Sequence, residues 1–254
     1  MCDDVENWWQ TMDAEAHVSA NPINPMRIFS EFSAQAPEDV MISSDSGSAA
    51  NWYARHIRMR GQMRGSLSGT LATMGPAVPY AIGAKFAHAD RPAVAFEGDG
   101  AMQMSGMAEL LTICRYWREW TDPRLIVAVL HNNDLNQVTW ELRAMGGTPK
   151  FVESQALPDT SYADVATAAG LDAITVTQPD QLAAAWKTAL NADRPYLLDI
   201  HCDPDIPPIP PHATLDQMTN VAKALMKGDT SRWGVVKEGI KTKAQEVLPG
   251  KGHG

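Results

Sequence analysis

The sequence is short of cysteine, of positive charge and of long apolar runs, and each shortage removes a class of function. Its 254 residues include three cysteines, Cys2, Cys114 and Cys202, far apart and odd in number. No Cys-x-x-Cys pair occurs, so neither a zinc knuckle nor a disulfide framework is supported. A reduced, cytoplasmic setting fits best. Lys and Arg number 21 against 30 Asp and Glu, for a net charge of −9. With no Lys/Arg block to neutralise a phosphate backbone, no nucleic-acid role is expected. No stretch approaches membrane-spanning length. The acidic start, MCDDVENWWQ, lacks the apolar core of a signal peptide. What the sequence does have is 44% hydrophobic residues, enough for one sizeable core in a chain of this length.

Residues 1–21 are acidic and carry Trp8 and Trp9; they read as a linker, or as the end of a central domain absent from this chain. The pattern then changes. Asn24-Pro25 is a helix start, with Asn at the N-cap and Pro in the first turn, and Met26, Phe29 and Phe32 follow at helical spacing. Residues 40–44 read as a buried strand, followed by the small-residue turn Asp-Ser-Gly-Ser. A helix over 76–88, a strand over 93–96 and a helix over 102–117 come next. The apolar run 125–131 suits a strand covered on both faces. Ser161 with Asp164 forms a capping-box start for a helix ending near Gly170. Residues 173–177, 181–191 and 196–200 read as strand, helix and strand. This alternation predicts an α/β fold, a parallel sheet with helices on both faces, spanning 22–211 and binding ligands outside the carboxyl ends of its strands. Residues 212–254 form a C-terminal extension beyond a proline-rich stop. Its amphipathic stretch (Leu215, Met218, Val221, Leu225) suits docking on the protein's own core better than on a membrane.

The chemistry gathers at two strand ends. Gly98-Asp99-Gly100 ends one strand, and Asn132-Asn133 ends the next. Asp99 and Asn133 lie 34 positions apart, the length of a loop, a helix and a strand, which returns both side chains to one edge of the sheet. A carboxylate and an amide carbonyl are hard oxygen ligands, suited to Mg²⁺ bound jointly with a phosphate group. The glycines allow close backbone approach, and the helix beginning near Met102 aims its free N–H groups at the same anion. Alone, Gly-Asp-Gly is as readily a tight turn, and the asparagines an Asx-rich loop; together at consecutive strand ends they favour an anion and metal site. A dinucleotide site is a distant reading, because no G-x-G-x-x-G follows the first strand.

These residues resemble the thiamine-diphosphate motif of the pyruvate oxidase, acetolactate synthase and pyruvate decarboxylase family. Asn51-Trp52-Tyr53 and Leu71-Ala72-Thr73-Met74-Gly75 extend the likeness, which covers roughly 21–211. The resemblance implies the thiamine-diphosphate-binding fold, in its C-terminal, diphosphate-and-Mg²⁺ form, with terminal helical extensions. It implies thiamine diphosphate and Mg²⁺ as cofactors, with FAD an option in the complete enzyme, mainly outside this chain. Asp99 and Asn133 match the metal-binding side chains, and the carbonyl of Leu135 the third protein ligand. Ser46, Gly47 and Ser48 match the turn that touches one end of the diphosphate. Gly98, Gly100, Ala101 and Met102 match backbone contacts beside it. Met74 matches the catalytically important apolar residue that props the cofactor into its bent form, with plain core packing as its alternative.

Four features depart from the family pattern. The Asp-to-Asn separation is longer, with residues 121–124 reading as an added loop. The segment after the asparagines is shorter. Glu97 stands where a small or apolar residue is usual, and reads as a surface group or one behind the site. The family's glutamate, which bonds N1′ of the aminopyrimidine, lies in a separate pyrimidine-binding domain that nothing here resembles. The implied function is therefore the cofactor-holding part of a 2-oxo acid decarboxylase, oxidase or carboligase, with a pyruvate-type substrate. It would be a piece of a longer enzyme or one subunit of a split one, inactive without a pyrimidine-binding domain or subunit, and a homo- or hetero-oligomer. The alternative is a non-catalytic binding or assembly module that keeps the fold. His131 reads as structural, with a catalytic role the alternative, and Glu141 and Arg143 as a solvated helix face, with substrate contact the alternative.

Overall fold

The structure, a computed structural model, describes residues 2–208, 214–231 and 233–237. The expected boundary at 211/212 and the polar end of the C-terminal extension lie outside the described residues. Helix α1 (Cys2–Ala16) packs on α2 (Pro25–Gln35), with Met12 and Ala16 fully buried. Asn24 caps α2 as its sequence predicts: its side-chain oxygen accepts the Met26 N–H at 3.0 Å. Pro25 takes the first turn, where a missing N–H goes unused.

Strand β1 (Met41–Ser44) leads into α3 (Ser48–His56), β2 (Arg64–Leu67), α4 (Ala77–Ala87) and β3 (Ala93–Gly98). Strand β3 continues past its expected end, and the next helix begins inside the Gly-Asp-Gly turn. That helical run is α5 (Asp99–Ala101), a π-helical turn (Met102–Gly106) and α6 (Met107–Tyr116). The π turn brings Met102 onto Gly106, where a Cβ would sit 2.5 Å from the Met102 sulfur. Strand β4 (Leu125–His131) is followed by α7 (Asn136–Glu141), a second π turn (Leu142–Gly146), α8 (Val152–Gln155) and α9 (Tyr162–Ala169). Ser161 caps α9 by accepting the Asp164 N–H, and Gly170 closes it with φ 104°. The described chain ends with β5 (Asp172–Val176), α10 (Leu182–Leu190), β6 (Tyr196–His201) and α11 (Leu215–Met226), apart from a short helical stretch at 233–237.

All six strands run parallel, in the order β2-β1-β3-β4-β6-β5. Strand side chains alternate between two apolar layers. Val94, Phe96, Ile126 and Leu198 pack under α2, α3 and α10; Ala93, Ala95, Val127 and Leu197 pack under α4, α6 and α9. The expected parallel sheet with helices on both faces is the observed one, and β4 at its centre is buried along its whole length. The chain leaves β1 for β2 on one side, then crosses to β3 on the other. This reversal opens a crevice at the carboxyl ends of β1 and β3.

Helix α11 lies against the second π turn, where Asn220 donates to the carbonyls of Ala144 and Met145. Among the described residues no helix is long and apolar enough to cross a membrane.

Candidate functional site

Four segments meet at the crevice. Strand β1 delivers Asp45, Ser46 and Gly47, whose φ of 83° favours glycine, to the start of α3. Strand β3 delivers Gly98, Asp99 and Gly100. Strand β4 delivers Asn132 to Leu135 and the start of α7. A loop before α4 adds Met74 and Gly75, the latter with φ 85°. Together they line a cavity of about 480 Å³.

Asp99 sits at its floor, 2% exposed. Its Oδ1 accepts the Gly100 N–H at 2.9 Å, and its Oδ2 accepts the N–H groups of Asn132 and Asn133 at 2.8 and 2.6 Å. Burial pushes its carboxyl up to about 6, against the pull of these N–H groups and of His131. No Lys or Arg side chain among the described residues pairs with it. A buried carboxylate so placed suits a hard cation. Gly100 is packed to its Cα: a Cβ there would lie 2.7 Å from Leu135 Cδ2 and 3.5 Å from Met74 Cε. The helical run from Asp99 aims its amino end at the same space.

Ser46, Gly47, Ser48, Met74, Gly98, Asp99, Gly100, Ala101 and Leu135 all line the cavity. Met74 belongs to neither apolar layer, so plain core packing does not describe it. Met102 and Asn133 are not among the lining residues. The Met102 side chain is fully buried in the α4/α6 layer, leaving only its backbone near the turn. Asn133, at φ 56°, turns its amide away: Oδ1 accepts from His131 Nε2 at 2.9 Å. That bond uses one of the two lone pairs of the oxygen.

Of the other side chains the sequence singled out, Arg143 departs from expectation. Glu97 is fully buried, so of its two readings the group behind the site is the one that holds. Its Oε2 turns onto the start of α4, accepting the Val78 N–H at 3.2 Å. Arg143 is no part of a solvated face; it is 1% exposed and forks onto Asp229 at 2.8 and 2.9 Å. Glu141 is exposed and lines the cavity. His131 is buried, with Nδ1 2.8 Å from Asp199. His131, Asp199 and His201 lie close enough to hold a metal, but both His131 nitrogens already have partners.

The sequence reading missed the polar frame of the site. Asp134 accepts from Thr139 Oγ1 at 2.9 Å and pairs with Lys150 at 2.8 Å, bracing the loop after the asparagines. Ser48 donates to Asn136 and Asn51 to Gln137, each at 2.9 Å, joining α3 to α7. Asp45 is the third element of that frame. Ser48–Asn136 and Asn51–Gln137 are far apart in sequence, and no local pattern announces them.

Comparison with known proteins agrees with this geometry. The family model described as thiamine pyrophosphate enzyme, C-terminal TPP binding domain, matches residues 45–200. A Bacillus subtilis protein named for containing thiamine pyrophosphate, YdaP, is 29% identical over 88% of this chain and 37% of its own length. The acetolactate synthase isozyme 2 large subunit of Escherichia coli is 29% identical over 75% of this chain and 34% of its own. The sulfoacetaldehyde acetyltransferase of Castellaniella defragrans is 32% identical over 71% of this chain and 29% of its own. The chain thus spans about a third of the length of these relatives. In fold it is similar to the thiamine diphosphate-dependent 4-hydroxybenzoylformate decarboxylase of Rhodococcus jostii, with a TM-score of 0.64 at 20% identity, over 73% of this chain and 33% of that one.

Proposed function

The chain belongs to the thiamine pyrophosphate enzyme family through its C-terminal cofactor-binding domain, and from that premise we propose that it is the diphosphate-holding part of a 2-oxo acid decarboxylating enzyme. In this reading the Asp99 carboxylate, the Asn133 carbonyl oxygen and the Leu135 backbone carbonyl hold Mg²⁺, which carries the diphosphate charge. Ser46, Gly47 and Ser48 close around one end of the diphosphate. Gly98 and Gly100 let the backbone approach it, and Ala101 and Met102, whose N–H donates to the Asp99 carbonyl, would contact it through their backbone. Met74 props the cofactor's bend by packing alone. When bound, thiamine diphosphate supplies the thiazolium carbon that attacks the keto carbon of a 2-oxo acid, pyruvate-type by resemblance to the acetolactate synthases. The aminopyrimidine and its activating glutamate belong to a pyrimidine-binding domain or subunit that completes the site.

The observation that carries this reading is Asp99, a buried carboxylate without a Lys or Arg partner among the described residues, beside a glycine whose Cβ would press on the Leu135 side chain. Titration calorimetry with Mg²⁺ and thiamine diphosphate, a pyrimidine-binding partner present, tests it. Asp99→Ala is expected to weaken cofactor affinity by roughly a hundredfold or more, since a metal ligand and its charge are both lost. Equal affinity in the variant would remove Asp99 from the site.

A further inference from the structure

The first residue of the Asp-Ser-Gly-Ser turn is a cavity-lining carboxylate with no role assigned so far. Asp45 follows β1 directly and is 2% exposed. Its Oδ1 accepts the N–H of Ser46 at 2.8 Å and the N–H of Gly75 at 2.9 Å. Its Oδ2 faces Gly98, 3.6 Å from where a Cβ on that residue would stand. These contacts reach three separate segments: the turn at 46–48, the loop bearing Met74, and the Gly-Asp-Gly turn. Two of the segments turn through left-handed glycines, Gly47 at φ 83° and Gly75 at φ 85°. Such turns have little side-chain packing of their own, so their relative position must come from elsewhere. A second bond runs between the same two segments, from Ser46 Oγ to the Thr73 carbonyl at 2.9 Å.

The chemistry of the group suits this task. A carboxylate offers only acceptors, so it can take N–H groups from more than one direction at once. We propose that Asp45 is a positioning residue: it holds the Met74 loop and the 46–48 turn against Gly98-Asp99, so that the cofactor-supporting side chain and the diphosphate-facing turns share one geometry before any ligand enters. The inference rests on the cofactor reading above. It adds a residue that contacts neither metal nor cofactor but sets the distance between the groups that do. Asn at this position would keep the oxygen that accepts from Ser46 and Gly75 but lose the charge, so both bonds weaken. Asp45→Asn should therefore loosen both segments and retain the fold.

Amide NMR of the ¹⁵N-labelled chain, titrated to millimolar Mg²⁺ and thiamine diphosphate, tests this. In the free Asp45→Asn variant, hydrogen exchange at Ser46 and Gly75 is expected to accelerate while β3 and β4 amides keep their protection. Cofactor affinity should fall by about tenfold, the loss of roughly one charge-assisted hydrogen bond. Met74→Ala should weaken binding in the wild-type background but add little in Asp45→Asn, because the side chain is already displaced. If Asp45→Ala fails to fold, Asp45→Asn decides the matter. Asp45→Asn that binds as tightly as wild type, while Asp99→Ala does not bind, overturns the role of Asp45. So do strictly additive effects of the Asp45 and Met74 substitutions. A wild-type chain that titrates no differently from Asp99→Ala overturns the cofactor reading instead.

Discussion

Glu97 stands directly before the Gly-Asp-Gly turn, yet its charge does not reach the cavity. Burial, and then the neighbouring Asp45 charge, push its carboxyl from an ordinary 4.5 up to about 9, against the pull of the Val78 and Ala77 N–H groups. At neutral pH the side chain is a protonated acid beneath α4, so no repulsion of a diphosphate arises. The consequence for stability has a definite sign. In the unfolded chain the group ionises from 4.5 upward; in the folded chain it stays protonated to about 9. Across that window a rising pH favours the unfolded state, and outside it the effect is flat. Glu97→Gln has no such slope. Its stability relative to wild type is expected to grow with pH, reaching about 1–3 kcal/mol near neutrality. Urea unfolding of both proteins at a series of pH values measures this, and parallel profiles would sink it. The site residues legible in the sequence were those carried by local motifs, Asp99 between its glycines above all. Asp45 was not legible, because its meaning lies in a hydrogen bond to Gly75, 30 residues away.

Arg143 and Asp229 show the same limit at the level of elements. The second π turn carries Arg143 inward, and Asp229, 86 residues on, receives it in a buried fork. Asp229 also accepts the Lys150 N–H at 3.0 Å, and Lys150 in turn pairs with Asp134 beside Asn133. The segment after α11 is thereby tied to the loop that follows β4. Asp229→Ala leaves the buried guanidinium with only Asp205, at 4.0 Å, as an acidic partner among the described residues, and should cost about 3 kcal/mol, the low end for a broken buried pair. Chemical denaturation gives the number, and a loss under roughly 1 kcal/mol would mean the pair is effectively solvated. Elements with strong local signals were readable from sequence: the Asn24 and Ser161 caps, the apolar run of β4, the alternation that yields a parallel sheet. Strand β2 was not, because Arg64-Gly-Ser-Leu is an exposed edge without apolar alternation. The π turns were not, because they depend on close packing at single positions such as Gly106 against Met102.

For the whole molecule, the cavity has, on the proposed reading, one end of a cofactor to hold. Its acidic lining residues are Asp45, Asp99, Asp134, Glu141 and Asp203, and Glu141, the single glutamate, hydrogen-bonds Gln137 at 3.0 Å. Large apolar side chains stand exposed on nearby elements, including Leu71 at 85%, Met104 at 67% and Met145 at 71%. Surfaces of this kind favour association. Two copies of this chain could cover them, but such a pairing brings only a second diphosphate-holding site and not the family's pyrimidine-side glutamate. We therefore predict a chain that self-associates and, assayed alone with Mg²⁺ and thiamine diphosphate, turns over no pyruvate. Adding a pyrimidine-binding domain or subunit should restore decarboxylation, and Asp99→Ala should abolish the restored activity. The decisive measurement is carbon dioxide release from pyruvate, first with the purified chain and then with partner added. Robust turnover by the chain alone, lost in Asp99→Ala, would mean that this chain carries its own activating acid. Glu141→Gln would then separate the two explanations: loss of that turnover places the acid at Glu141, and its persistence places it on another residue of the chain.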